Sequence, residues 1–306
     1  MSPIQGPGLL LVGHGTRSAG GVDQFHALVA RLARQAPVDV AGGFIELAAP
    51  PLADTVAALV AAGHRRLVAV PLVLVAAGHS KGDIPAALAR ERVRHPGLDF
   101  AYGRPIGPHP EVLAELAERI DAVLDRHDRA ATAVLLVGRG TTDPDANAEV
   151  VKTARLLWEG RGLPMVETAF ISLAAPSVPA GLDRVRALGA HRVVVLPYFL
   201  LPGVLPDRVA SHALAWARAH PEVEVRLADV LGDSPGLARV VLERYAEAAT
   251  GPVAMNCDTC LYRVALPGAE HRQGAPQRPH THPDDPVGHL HDPDAANHTD
   301  RDTHAH

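Results

Sequence analysis

The chain is written twice, and this limits its folds more than any other feature. LLLVGHGT (Leu9 to Thr16) returns as VLLVGRGT (Val134 to Thr141). FIELAAP (Phe44 to Pro50) returns as FISLAAP (Phe170 to Pro176), and RLVAVPLVLV (Arg66 to Val75) as RVVVLPYFLL (Arg192 to Leu201). HPGLDF (His95 to Phe100) is answered by HPEVEV (His220 to Val225), and Gly107 with Pro110 by Gly232 with Pro235. These matches keep one order and an offset of about 125 residues, too long for a solenoid unit and right for a duplicated domain. One match is within reach of chance in Ala/Val-rich sequence; five in the same order are not. The boundaries that follow are residues 1–129, 130–250 and a tail, 251–306.

Within a half, two periodicities alternate. Short apolar runs such as Leu9 to Val12 and Leu67 to Val75 read as buried parallel strands. Between them, Val22, Phe25, Leu28, Val29 and Leu32 make an apolar stripe at helical spacing. Further helices are expected near Pro51, from Asp83 to Pro85, and at Pro110 to Glu111, because proline costs little in a first helical turn. Each half therefore reads β-α-β-α-β-α-β-α. The predicted class is α/β: two Rossmann-like lobes with open parallel sheets, right-handed crossovers and helices on both faces. Ligands in such sheets bind beyond the carboxyl ends of the strands, and a duplicated pair places its site in the cleft between halves. At 306 residues and 47% hydrophobic the chain can fill two cores, and with 4% aromatics they must be built from Ala, Val and Leu.

The formal charge of −5 gives no support for a nucleic-acid binder. No apolar run approaches the roughly 18 to 20 residues of a membrane span, and the start lacks a basic stretch followed by an apolar core. Cys257 and Cys260 stand three apart near the end, a spacing that suits a metal or redox site better than a disulfide framework. A cytoplasmic location is expected.

The first strand ends in Gly13-His14-Gly15-Thr16-Arg17, where two glycines let the backbone turn sharply and present the imidazole. An ordinary turn with an incidental histidine is the alternative. Histidine phosphatases also carry a strand-end histidine, but in an Arg-His-Gly context. The third strand runs out at Ala76-Ala77-Gly78-His79-Ser80-Lys81-Gly82-Asp83, and the second near Phe44-Ile45-Glu46. Topology thus brings His14, Glu46 and His79 to one rim of one sheet. Two imidazoles and a carboxylate suit a borderline divalent ion such as Co²⁺, Fe²⁺ or Ni²⁺, and they also accept protons near neutral pH. The second half supplies an internal control: His14 aligns with Arg139, Glu46 with Ser172 and His79 with Leu205. The motif frame survives while all three chemical residues are gone, which implies one active and one supporting half.

At these residues the sequence resembles the sirohydrochlorin chelatase family of the CbiX/SirB type, which contains cobaltochelatases and ferrochelatases. The motifs VGHGTR, FIELAAPPL, PLVLVAAGHSKGDIP and YGRPIGPHP carry the resemblance, which covers nearly everything before the tail. It implies two lobes around an open cleft, in the long form with a fused second lobe, and hence a monomer that is an internal pseudo-dimer. His14 and His79 match the family's active-site histidines and Glu46 its nearby acid. The reaction implied is insertion of Co²⁺ or Fe²⁺ into sirohydrochlorin, in cobalamin or siroheme biosynthesis. Two pyrrole N–H protons must leave as the metal enters, so the site needs bases and temporary metal ligands. The substrate is rich in carboxylates, and Arg17, Lys81, Arg104 and Arg139 are the candidate cations for its rim. His109 is expected to be a loop residue with no ligand role.

After Thr250 the composition turns to Pro, Asp and His, with eight of the 18 histidines between His271 and His306. A tail of this kind is expected to be disordered without metal and to bind transition ions weakly. Met255-Asn256-Cys257-Asp258-Thr259-Cys260 looks like a pattern of some long-form cobaltochelatases, where the resemblance implies an iron–sulfur cluster. Two cysteines cannot complete a four-thiolate cluster, and redox thiols or a shared Zn²⁺ site are the other readings. The tail and the cysteine pair favour cobalt over iron. The competing functions are a metal-binding chaperone or store in which the tail is the working part, and a chelatase for another tetrapyrrole.

Overall fold

The first lobe is laid down as β1 (Gly8–Gly13), α1 (Ala19–Gln35), β2 (Val40–Phe44), α2 (Leu52–Ala61), β3 (Arg66–Pro71), a one-turn π-helix (His79–Asp83), α3 (Ile84–Arg94), β4 (Asp99–Tyr102) and α4 (Pro110–Asp121). The second repeats the order with β5 (Ala133–Gly138), α5 (Pro144–Trp158), β6 (Val166–Phe170), α6 (Val178–Ala187), β7 (Arg192–Pro197), α7 (Val204–Ala219), β8 (Glu224–Leu227) and α8 (Pro235–Thr250). This is a computed structural model, and it describes residues 6–125, 128–251 and 271. The two sheets are wholly parallel, ordered β2-β1-β3-β4 and β6-β5-β7-β8. The expected α/β class and alternation are observed. Among the described residues no helix is long and apolar enough to cross a membrane.

The helix starts follow local chemistry. Ser18 caps α1 by accepting from the Gly21 N–H, and Asp143 caps α5. Pro51 is the cap of α2 rather than its first residue, and Pro110 opens α4 behind His109, whose ring nitrogen accepts from the Glu111 N–H at 3.2 Å. The π-turn before α3 was not expected from the sequence, which reads there as a loop.

Burial on both faces of the inner strands β1, β3, β5 and β7 sorts the side chains into three apolar layers. Leu10, Val12, Leu67 and Ala69 pack under Leu52, Val56, Ile84 and Leu88 of α2 and α3. Leu135, Val137, Val193 and Val195 pack under Val178, Leu182, Val209 and Trp216 of α6 and α7. The opposite faces of both sheets feed one central layer with α1, α4, α5 and α8.

The last helix of each half crosses over. α8 lies on β3 and β4 beside α1, although it ends the second half, and α4 lies on β7 beside α5, although it ends the first. A matched pair of arginines clamps the exchange. Arg119 of α4 donates to the carbonyl oxygens of Val230 (3.0 Å) and Leu231 (2.7 Å), past β8. Arg244 of α8 donates to those of Pro105 (3.2 Å) and Ile106 (3.4 Å), past β4. Glu115, buried on α4, accepts from the Gly236 N–H at 2.8 Å and so caps the start of α8. The unit of sequence is the half, whereas the packing of each sheet draws a helix from both.

Candidate active site

In each sheet the chain steps from its first strand to one side and then returns to the other, so the order reverses between β1 and β3. Ligands enter at such a switch point, beyond the carboxyl ends. His14 follows β1 directly and His79 opens the π-turn that follows β3. Single turns of π-helix occur often at functional sites. The His79 side chain lies outside the described residues.

Backbone pairing brings His14 and Glu46 together. The ladder between β1 and β2 continues past both strands, with Ile45 N–H on the Gly13 carbonyl (3.0 Å) and Glu46 N–H on the His14 carbonyl (3.1 Å). Their side chains meet with His14 Nε2 3.0 Å from Glu46 Oε1, at 22% and 15% exposure, sheltered but reachable. Gly15 makes this approach possible. It sits at φ +115°, and a Cβ there would stand 1.8 Å from the Glu46 carbonyl oxygen. The second lobe repeats the frame: Ser172 N–H bonds the Arg139 carbonyl (2.9 Å), and a Cβ on Gly140 would meet the Ser172 oxygen at 1.8 Å. Gly15→Ala and Gly140→Ala should therefore each cost about 1–3 kcal/mol. Thermal melts should show both losses, while only Gly15→Ala should move the His14 imidazole resonances in an NMR spectrum. Equal imidazole shifts from both would mean that Gly15 does not set the His14–Glu46 contact.

The four candidate rim cations fall in different places. Arg17 is exposed beside His14, and Arg139 is half-buried at the position equivalent to His14 in the second lobe. Lys81 is largely sheltered between Asp143 and Asp145 of that lobe. Arg104 holds Glu247 of α8 through two hydrogen bonds, Nε at 3.0 Å and Nη2 at 2.5 Å. Among the described residues, which leave out the His79 side chain, no three His, Cys, Asp or Glu gather as a metal cluster. Cys257, Cys260 and the histidines beyond His271 lie outside the described residues.

Two participants escaped the sequence reading. Tyr102 donates to the Ser80 carbonyl inside the π-turn at 2.8 Å, and burial pushes its phenol pKa well above the usual range. Asp143 is a buried cap that also meets Lys81. An Asp-Pro step before an apolar stripe signals the cap, but nothing local signals its partner.

The CbiX family model matches residues 8–123 and again 133–248. The chain belongs to the CbiX family. Among curated CbiX relatives, the sirohydrochlorin cobaltochelatase of Priestia megaterium is 39% identical over 260 residues, covering 84% of this chain and 85% of that protein. The sirohydrochlorin ferrochelatase of the same organism is 32% identical over 236 residues, 76% of this chain and 87% of the relative. Among solved structures, SirB from Bacillus subtilis with Fe³⁺ superposes with a TM-score of 0.70 at 28% identity, covering 80% of this chain and 96% of the other. The sirohydrochlorin chelatase SirB from Bacillus subtilis subspecies spizizenii in complex with cobalt gives 0.67 at 28% identity, covering 81% and 97%. The two copies of the CbiX match coincide with the two four-stranded sheets of this fold.

Proposed function

We propose that this chain is a sirohydrochlorin chelatase, a metal-ion lyase that inserts Co²⁺ or Fe²⁺ into sirohydrochlorin between its two lobes. The observation that carries the reading is the His14–Glu46 contact at the switch point of a CbiX-family sheet. His14 and His79 are assigned to present the metal and to accept the two pyrrole protons. Glu46, 3.0 Å from His14 Nε2, is assigned to orient that imidazole toward the substrate. Arg17 and Arg139 are assigned the first contacts with substrate carboxylates, with Arg104 behind them, while Lys81 is engaged by Asp143 and Asp145.

The remaining assignments rest on the same reading. A metal entering biosynthesis in this way fits a cytoplasmic enzyme, and the shared central layer fits a monomer whose fused halves act as an internal pair. Cobalamin or siroheme as the end product follows from the metal. The chain's two cysteines supply half of a four-thiolate cluster, so they do not fit an iron–sulfur centre by themselves and no step is assigned to one.

The test is anaerobic metal insertion followed by absorbance, with sirohydrochlorin and either Co²⁺ or Fe²⁺. The expected result is insertion well above the uncatalysed rate, with the faster metal indicating the pathway. Rates equal to the uncatalysed ones for both metals would reject the assignment for this substrate. They would move another tetrapyrrole, or metal carriage by the tail, to the front.

A further inference from the structure

A charged contact joins the lobes beside the candidate site. Lys81 lies two residues past His79 in the π-turn. Its Nζ reaches the second lobe, 2.7 Å from Asp143 Oδ2 and 3.1 Å from Asp145 Oδ2. The side chains of Lys81 and Asp143 are 8% and 2% exposed, so this ammonium has given up most of its water for those carboxylates. Asp143 is itself fixed, because its Oδ1 accepts from the N–H groups of Asp145 (3.1 Å) and Ala146 (3.5 Å) at the start of α5. Within the first lobe, the same turn is held by Tyr102 Oη on the Ser80 carbonyl and by Lys81 N–H on the Ala77 carbonyl (2.9 Å).

The duplication again provides the comparison. By the offsets that match His14 with Arg139 and His79 with Leu205, Asp143 corresponds to Ser18 and Lys81 to Asp207. Ser18 is also a helix cap, and the α1 start also meets the opposite lobe: a Cβ on Gly21 would come 2.7 Å from the Pro202 carbonyl oxygen. Both sides therefore close a loop onto a helix start. Serine and aspartate cannot form a cation–anion pair, so the lysine–aspartate contact has no copy at these two matched positions.

We propose that Lys81, gripped by Asp143 and Asp145, is a positioning residue for the chelatase reaction: it pins the His79 turn to the second lobe and so sets where His79 stands over the substrate. The inference rests on the chelatase reading and gives Lys81 a task other than touching sirohydrochlorin.

Two variants separate positioning from stability. Lys81→Met strands two aspartates in a buried place and should lower the melting temperature. Lys81→Met/Asp143→Asn removes one stranded charge while asparagine keeps the α5 cap, so much of the melting temperature should return. In both, kcat should fall on the order of 10- to 100-fold, as a misplaced group does, with KM for sirohydrochlorin little changed. Amide hydrogen exchange across 78–84 should quicken in both free variants. A double variant that regains kcat together with melting temperature would show that the pair is only glue and would overturn the proposal. The exchange measurement needs no turnover. If the wild-type protein inserts no metal, the chelatase reading falls alone, and unchanged exchange across 78–84 would separately sink the pinning of the turn.

Discussion

His14→Ala should slow metal insertion by about 10²- to 10⁴-fold, the usual worth of a positioned proton acceptor. Melting should fall only modestly, because the ring is partly exposed, although its loss removes the 3.0 Å neighbour of the buried Glu46 Oε1. Glu46→Gln should give a smaller loss, since the imidazole itself stays and a side chain of the same size remains beside it. Arg139→Ala, at the equivalent position of the second lobe, should instead raise KM for sirohydrochlorin with kcat held. The pattern is checked by steady-state insertion kinetics at saturating metal. If His14→Ala retained the wild-type kcat, the strand-end histidine would be a turn residue and the site would have to be sought elsewhere.

The second large effect concerns the crossed helices. Residues 1–129 expressed alone should not give a folded monomer. They lack α8, which packs on β3, β4 and α4 and whose Leu237, Val240, Val241 and Ala248 are buried in the central layer. Burying a large aliphatic side chain contributes about 1.5–3 kcal/mol, so several together are comparable with the roughly 5–15 kcal/mol by which a domain is stable at all. Arg244 adds its hydrogen bonds to Pro105 and Ile106, whose carbonyls would otherwise lose a partner. Co-expression with residues 130–250 should restore a 1:1 complex with the circular dichroism of the intact chain. A cooperative melt of monomeric 1–129 would refute this.

Much of the fold was legible because a duplicated chain states its pattern twice. The parallel strands, the alternation with helices and the helix starts near Pro51, Asp83 to Pro85 and Pro110 all follow from apolar runs, stripes and proline positions, and the structure has them within a residue or so. The exchange of α4 and α8 was not legible. An apolar stripe says that a helix is buried but not against which of two sheets, and these two present the same Val and Leu faces. The one available signal was the Glu-Arg step repeated at Arg119 and Arg244, whose carbonyl partners lie in the other half.

The candidate site divides in the same way. Placing His14 beside Glu46 needed only strand ends and a parallel sheet, and pairing of β1 with β2 delivers it. Lys81 read as a rim cation because it lies on a strand-end loop. The carboxylates that bury it come 62 and 64 residues later and meet it only through tertiary structure. Arg104 likewise finds its carboxylate 143 residues away, on a helix that the sequence assigns to the other half.

The loop frame that holds His14 and Glu46 persists around Arg139 and Ser172, with the same left-handed glycine and the same carbonyl contact. The pseudo-two-fold is thus broken in chemistry and kept in shape. A flat macrocycle lodged between such lobes would meet similar walls above and below, yet at the matched loop positions the imidazole and carboxylate of His14 and Glu46 stand against Arg139 and Ser172. Metal would then arrive from a single face of the ring, so the asymmetry of three side chains becomes a direction of travel.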